Sequence, residues 1–183
     1  MKRFLTILFV LAFATNAFAG EFGWTLSNSM TDPQANQGTF VPGILTLYLH
    51  YYCTNNARGL ASAEFDIASS NPVNIIAAFT AINPPWLNAG GATNLLLAVG
   101  GCPSGLSVAG SFLISANGPG QYCLTTSAVG NNVSVNCVDL TVYPNDWVGY
   151  SNDGTPPCTS PETLCFIVAV EDASWGTVKS LYR

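Results

Sequence analysis

The stretch ILTLYLHYYC (44–53) decides the fold class of this chain. Every second residue forms an apolar series: Leu45, Leu47, Leu49 and Tyr51. The residues between them form a more polar series: Thr46, Tyr48, His50 and Tyr52. Strict alternation is the period of a β-strand with one face in the core. We therefore predict a half-buried strand here.

The segment SAEFDIA (62–68) repeats this alternation, with Ala63, Phe65 and Ile67 predicted inward. The linker TNNARGL (54–60) is rich in turn residues, so we predict a hairpin between the two strands. Six further strands are predicted, at 73–80, 94–99, 106–114, 121–126, 133–142 and 164–170. Gly, Pro and Asn clusters separate them, and the segment 143–162 reads as a long loop. The pattern predicts an all-β, single, antiparallel β-sandwich.

The chain begins with an export signal. Lys2 and Arg3 precede an apolar run over 4–13, and Ala17-Phe18-Ala19 fits a cleavage site. An uncleaved anchor is the alternative, but a bilayer span needs about 20 apolar residues. We therefore predict a signal peptide at 1–19, a sandwich domain at 20–172 and an amphipathic tail at 173–183, with no membrane span after cleavage. The expected location is secreted, periplasmic or extracellular, including the cell surface.

Charge is scarce throughout the chain. Charged residues make up 8% of it, against about 25% in ordinary domains. The net charge of −5 becomes −7 when Lys2 and Arg3 are removed with the signal. Without a basic patch, binding of nucleic acid is not expected. A weakly charged surface resists association poorly, so we expect a protein partner or self-association, and a stable secreted domain with a neutral polar surface is the alternative.

All six cysteines follow the signal: Cys53, Cys102, Cys123, Cys137, Cys158 and Cys165. An even count in an exported chain predicts disulfides, and the C-x-x-C spacing of a zinc site is missing. If 121–126 and 133–138 form a hairpin, Cys123 faces Cys137, so we predict that pair. A local Cys158–Cys165 bond then leaves Cys53 for Cys102.

Two groups of residues could carry acid–base chemistry. His50 is the one histidine available to a catalytic triad, and no G-x-S-x-G motif is present. Glu64 and Asp66 share one strand face about 6.6 Å apart, a separation that occurs between glycosidase carboxylates. We interpret His50 as a semi-exposed strand residue and the carboxylates as the polar face of a strand. We therefore predict no catalytic residue and no enzyme, with a secreted hydrolase as the third alternative.

The long segment offers two binding hypotheses. Asp146, Asn152 and Asp153 could supply oxygen ligands to Ca²⁺, although the EF-hand spacing is missing. The aromatic residues that could stack on a sugar or contact a partner are Trp86, Trp147 and Tyr150. Aromatic residues that close the ends of a sandwich explain the same pattern. Asn132-Val133-Ser134 is an N-glycosylation sequon.

The last residues predict a short amphipathic helix. Ser174 is a suitable N-cap, and positive charge lies toward the C-terminus, where the helix dipole favours it. The residues of the tail that could contact a partner are Trp175, Lys179, Leu181, Tyr182 and Arg183. The apolar face either packs on the sandwich or meets a partner, because so short a helix is marginal alone in water.

The signal peptide, the cysteine-bearing sandwich and the ending Trp175-Gly176-x-x-Lys179-x-Leu181-Tyr182-Arg183 resemble a set of uncharacterised secreted bacterial proteins. The resemblance implies a cohesin-like or immunoglobulin-like sandwich, and it implies no site residue. Together these observations predict an exported structural or protein-interaction domain whose tail serves docking or sorting. A carbohydrate-binding or adhesin module is the alternative.

Overall fold

A computed structural model describes residues 22–53, 59–82 and 86–160, without the side chain of Cys53. The predicted signal, the predicted strand at 164–170, Cys165 and the tail lie outside these residues. The described strands are β1 (Phe22–Ser27), β2 (Gly43–Cys53), β3 (Leu60–Ser69), β4 (Ile75–Ala81), β5 (Trp86–Asn88), β6 (Asn94–Val99), β7 (Ser107–Ala116), β8 (Gln121–Thr125), β9 (Val133–Asn136), β10 (Val142–Val148) and β11 (Tyr150–Ser151). All regular structure in the described ranges is β, which confirms the predicted fold class.

The strands form two layers joined by β10. The first sheet runs β4-β7-β2-β1-β10. The second sheet places β3 between β6 on one edge and both β8 and β9 on the other, with β5 beyond β6 and β11 beyond β8. Because β10 pairs with β1 and also with β9, one side of the sandwich is closed. On the other side, β4 and β5 are the outermost strands.

Aromatic rings bridge the two layers at the centre of the core. The indole of Trp24 in the first sheet lies 5.1 Å from the ring of Phe65 in the second and 5.3 Å from Tyr51. The inward residues of β2 and β3 are those that alternation predicted, including Leu47, Leu49 and Phe65, which are fully buried. Burial of such side chains is the main favourable term in folding.

A buried polar network lies beside these rings. Asn145 Oδ1 accepts from Trp24 Nε1 at 3.1 Å and from Ser134 Oγ at 2.5 Å. Asn145 Nδ2 in turn donates to Asn132 Oδ1 at 3.0 Å. Buried polar groups cost free energy unless they are paired, so this network fixes β1, β9 and β10 against one another. Asn132 and Ser134 of the N-glycosylation sequon are both members of this network, and Ser134 is fully buried.

The predicted hairpin between the first two strands is wrong. β2 pairs with β1 and β7, whereas β3 pairs with strands of the second sheet. Both edges of β2 are therefore occupied by other strands, and β3 lies in the other layer. Turn residues in a linker indicate that the chain changes direction, but they do not determine which sheet receives the next strand.

The predicted pairing of Cys123 with Cys137 is also wrong, for a topological reason. β8 and β9 do not form a hairpin; both run antiparallel to β3 along the same edge, one after the other. Cys123 lies opposite Ala68, whereas the amide of Cys137 bonds to Gly59 near the start of β3. The two cysteines are therefore separated along the strand direction.

The disulfides are Cys102–Cys137 and Cys123–Cys158, with Cα atoms 5.6 and 5.9 Å apart. These bonds exclude the predicted Cys53–Cys102 and Cys158–Cys165 pairs. The predicted disulfide stabilisation is confirmed with a different connectivity. Each bond links segments 35 residues apart in sequence, so each restrains the unfolded chain over a sizeable loop.

The prediction of a long loop at 143–162 is wrong, because this segment contains most of β10 and all of β11. The prediction of one strand over 133–142 is also wrong, because two strands share this segment. β9 ends at Asn136, and the chain turns through residues 137–141 before β10 begins. β10 then runs parallel to β1, with Trp24 opposite Trp147, so the sandwich is not purely antiparallel. Pro144, Asn145 and Asp146 in the sequence resembled a loop because these residues are depleted in strands.

Candidate interaction surface

His50 lies on a strand, as predicted, but its side chain is buried and not semi-exposed. The side chain is 1% exposed, and Nε2 donates to the Ser29 carbonyl at 2.9 Å. Burial lowers the pKa of His50 below its usual value of 6.5, while the bond to Ser29 and the charge of Asp32 offset part of this effect. The ring therefore holds a loop in place.

The two strand carboxylates are bound by neighbouring side chains. Glu64 accepts from Ser127 Oγ at 2.7 Å and from Asn131 Nδ2 at 2.9 Å. Asp66 accepts from Asn94 Nδ2 at 2.8 Å. Glu64 therefore anchors the 126–132 loop, which separates β8 from β9. These contacts describe a structural role for both residues.

The predicted calcium ligands are spread out and engaged in local bonds. Asn152 Oδ1 accepts from the amide of Gly120 at 2.8 Å. Asp153 Oδ1 accepts from Ser151 Oγ and from Thr155, and these bonds lower the pKa of the Asp153 carboxyl. Asp146 is 4% exposed. Across the described part of the chain, no group of three or more His, Cys, Asp or Glu side chains could hold a metal ion.

The predicted sugar-stacking aromatics do not form an exposed platform. Trp86 is 7% exposed, and its ring meets Trp24 and Tyr51 edge-on at 6.1 and 5.9 Å. Tyr150 is 2% exposed. Trp147 is partly buried against the core. The remaining predicted contact residues, Trp175, Lys179, Leu181, Tyr182 and Arg183, lie outside the described residues.

The outer face of the first sheet divides into two halves. We call the part formed by β1 and the end of β2 the covered half, because residues 28–36 fold over it. Ser27 Oγ donates to the carbonyl of Asp32 at 2.5 Å, and Thr25 Oγ1 donates to the carbonyl of Pro33 at 3.2 Å. As a result, Thr25 and Ser27 are 1% and 0% exposed although they belong to an outer face.

The other part, which we call the open half, is formed by the start of β2 with β7 and β4. Strand registry sets its outward residues in three rows: Ile75, Ser115 and Ile44; Ala78, Leu113 and Thr46; Thr80, Ser111 and Tyr48. None of the nine carries a charge. Ile44, Ile75 and Leu113 are exposed by 70%, 59% and 44%. Apolar groups grouped in this way on a surface are typical of a protein contact.

Sequence reasoning did not identify the open half, although one signal was present. Ile44 has the same parity as Thr46 and Tyr48, so alternation places an isoleucine on the polar face of β2. Ile75 and Leu113 gave no such signal alone. Their proximity depends on β7 pairing with both β2 and β4, which are far apart in sequence.

Comparison with known proteins identifies the fold. No protein-family model and no curated protein matches the chain. Among solved structures, a cohesin module from a family 33 glycoside hydrolase of Clostridium perfringens is similar, with a TM-score of 0.50 and 13% identity. The match covers 69% of this chain and 90% of that module. The fold is cohesin-like. At 13% identity the similarity concerns the architecture alone. It agrees with the cohesin-like or immunoglobulin-like sandwich that the sequence resemblance implied.

The described ranges contain no helix with the length and hydropathy needed to cross a bilayer.

Proposed function

We propose that this chain is an exported, non-enzymatic protein-interaction domain of the extracellular space or cell surface, with the open half as its contact surface. The observation that carries the proposal is the grouping of Ile44, Ile75 and Leu113 on the open half, whose nine outward residues are all uncharged. The cohesin-like architecture supports an interaction role. In this proposal the tail at 173–183 is a docking or sorting element.

The charge distribution favours a second copy of the chain as the partner. Each mature copy carries a net charge of −7, so two copies repel each other on average. Contact is least unfavourable where neither copy presents charge, and the open half meets that condition. Burial of its aliphatic side chains then contributes about 25 cal/mol for each Å² of apolar surface removed from water.

The other outer face is less suited to this contact. β3 presents Glu64 and Asp66 there, so two such faces would bring carboxylates together. The same face exposes Leu87 by 63% and Leu96 by 44%. Aliphatic exposure is therefore similar on the two faces, and charge distinguishes them.

A non-enzymatic role is supported by the use of the candidate catalytic side chains. His50 bonds to a loop carbonyl, Glu64 anchors a second loop, and Asp66 bonds to Asn94. Carbohydrate binding stays the alternative hypothesis, and the burial of Trp86 and Tyr150 does not favour it.

Sedimentation velocity on oxidised residues 20–183 tests the proposal. We expect the sedimentation coefficient to rise with protein concentration. Leu113→Lys should weaken this association at least tenfold, about 1.4 kcal/mol, because it places an unpaired charge in the contact. Leu96→Lys is the matched control, since Leu96 and Leu113 are both 44% exposed and the added charge is the same.

The outcomes of this experiment separate the open half, the net charge and the tail as causes of association. A chain that sediments as a monomer at every concentration would refute self-association through the open half. Equal weakening by both lysine variants would assign the effect to net charge and not to the surface. A third sample that ends at Asp172 should associate as the full chain does; if its association is lost, the contact belongs to the tail.

A further inference from the structure

We infer that Cys53 and Cys165 form a third disulfide, which ties the C-terminal part of the chain to the end of β2. Two bonds occupy Cys102, Cys137, Cys123 and Cys158. The chain has six cysteines in total, so Cys53 and Cys165 are the two that remain. In an exported protein with two formed disulfides, a remaining pair is expected to be oxidised when geometry allows it.

The direction of the chain at its last described residues favours this bond. Thr159 pairs antiparallel with Val148, and the amide of Ser160 bonds to the carbonyl of Trp147. From Thr159 to Ser160 the chain therefore advances from the level of Val148 to that of Trp147, in the direction of Asn145. Registry places Asn145 beside Phe22, and Phe22 beside Cys53. The last two described residues therefore point toward the end of the sheet at which Cys53 lies.

The remaining length is sufficient for the bond. Thr159, Val148, Thr25 and His50 form a row across three strand spacings, which is about 14 Å at ~4.8 Å each. Cys53 lies three residues further along β2, about 10 Å at ~3.3 Å per residue. The direct path is therefore about 17 Å, and the six residues from Thr159 to Cys165 span about 20 Å when extended.

The bond requires an oxidant. Each thiol loses a proton, one sulfur–sulfur bond forms, and two electrons leave. A disulfide-carrying oxidase or a small-molecule disulfide accepts these electrons and is reduced to two thiols, by exchange through a mixed disulfide. The same chemistry accounts for the two bonds already described, so it introduces no further reagent.

The inference is independent of the proposed function, and it has a consequence for the tail. A bond at Cys165 closes a loop that begins at Cys53 and includes both other disulfides. Residues 166–183 then start from the end of β2 and not from a free position after Ser160. Whatever the tail contacts must lie within reach of that point.

The scarcity of cleavage sites makes a direct test sharp. The oxidised chain is treated with N-ethylmaleimide under denaturing conditions and cut with trypsin and Glu-C without reduction. Trypsin cuts after Arg58 and Lys179, and Glu-C cuts after each glutamate. Cys53 then lies in peptide 22–58 and Cys165 in peptide 163–171, while the other four cysteines share peptide 65–162.

We expect mass spectrometry to detect 22–58 joined to 163–171, and reduction to separate them. Peptide 65–162 should be free of both and should contain two internal disulfides. Attachment of either small peptide to 65–162, maleimide on Cys53 and Cys165, or a pair of two copies of the same peptide would overturn the inference. These outcomes do not depend on whether the chain self-associates through the open half.

A pair of variants confirms the assignment without relying on digestion. Cys165→Ser should leave one thiol that reacts with maleimide, at Cys53, and Cys53→Ser should leave one at Cys165. The double variant should leave none while retaining the other two disulfides. A reactive thiol in the double variant, or no reactive thiol in either single variant, would contradict the pairing.

Discussion

His50 and Ile44 have the same parity on β2, so strand geometry points both side chains to the same outer face. His50 is nevertheless 1% exposed, whereas Ile44 is 70% exposed. The strand is the same, and the difference lies in what covers it. Residues 28–36 fold over the covered half, while the open half has no such cover among the described residues.

The cover is held by local polar chemistry. Asp32 Oδ1 accepts from the amide of Gln34 at 2.9 Å, a turn that the Asp32-Pro33 pair favours. Ser27 Oγ accepts from the amide of Ser29 at 2.9 Å and donates to the Asp32 carbonyl. One loop thus turns half of an outer sheet face into interior, and the uncovered half becomes the surface available for contact.

The largest expected effect comes from placing a charge under the cover. His50→Lys should lower the free energy of unfolding by about 3 to 5 kcal/mol, because burial would remove the ammonium from water and the charge of Asp32 would offset that cost only in part. Thr46→Lys is the matched control on the same face of the same strand, and it should change stability by less than about 0.5 kcal/mol. Urea unfolding of both variants measures the difference. Equal losses would mean that the two halves do not differ in the way described.

A smaller effect is expected when one bond of the cover is removed. Ser27→Ala should cost about 1 kcal/mol, because the Ser29 amide and the Asp32 carbonyl lose their hydrogen bonds to the buried Ser27 hydroxyl. Amide hydrogen exchange should also become faster over residues 28–36. The corresponding change on the open half, Ser111→Ala, should stay within about 0.5 kcal/mol. Unchanged exchange in Ser27→Ala would show that the loop is held by other contacts.

The smallest effect is the pH dependence that His50 confers. The pKa of His50 is lower in the folded chain than its ordinary value of 6.5, so the unfolded state binds more protons between the two values. Stability that is present above pH 6.5 should therefore decline as the pH falls toward the folded pKa. Burial causes the shift, and Ser29 and Asp32 reduce it, so the decline should be modest.

His50→Gln should remove this decline, because His50 is the one histidine in the chain. Thermal unfolding of both proteins from pH 7 to pH 5 measures the difference between their slopes. If the slopes agree, His50 titrates in the folded chain as it does in the unfolded one, and the loop does not isolate it from water.

The strands were predictable where one face meets the core. Alternation identified β2, β3, β4, β6, β7 and β8 at or near their observed bounds. It did not identify β1, although Phe22, Trp24 and Leu26 alternate with Gly23, Thr25 and Ser27, because the pattern in this short strand rests on three apolar residues. It did not identify β10, because Pro144 is depleted in strands and Asn145 belongs to a buried network that exists only once β1 and β9 are beside it.

The interaction surface and the disulfides were less predictable, for one shared reason. The open half requires Ile44, Leu113 and Ile75 to meet across three strands that are distant in sequence. The Cys102–Cys137 and Cys123–Cys158 bonds require β8 and β9 to follow one another along β3. The sequence around 126–132 is equally compatible with a hairpin, which is why the predicted pairing failed.

The class of this protein follows from its sequence: strands with a period of two, a chain poor in charge, and an even set of cysteines. These properties follow from local geometry and composition, which each segment carries without its neighbours. The three-dimensional fold was needed to establish which strand edges meet, which cysteines pair and which half of an outer face is covered. Those outcomes depend on contacts between distant segments, and several arrangements of the same strands satisfy the local rules equally well.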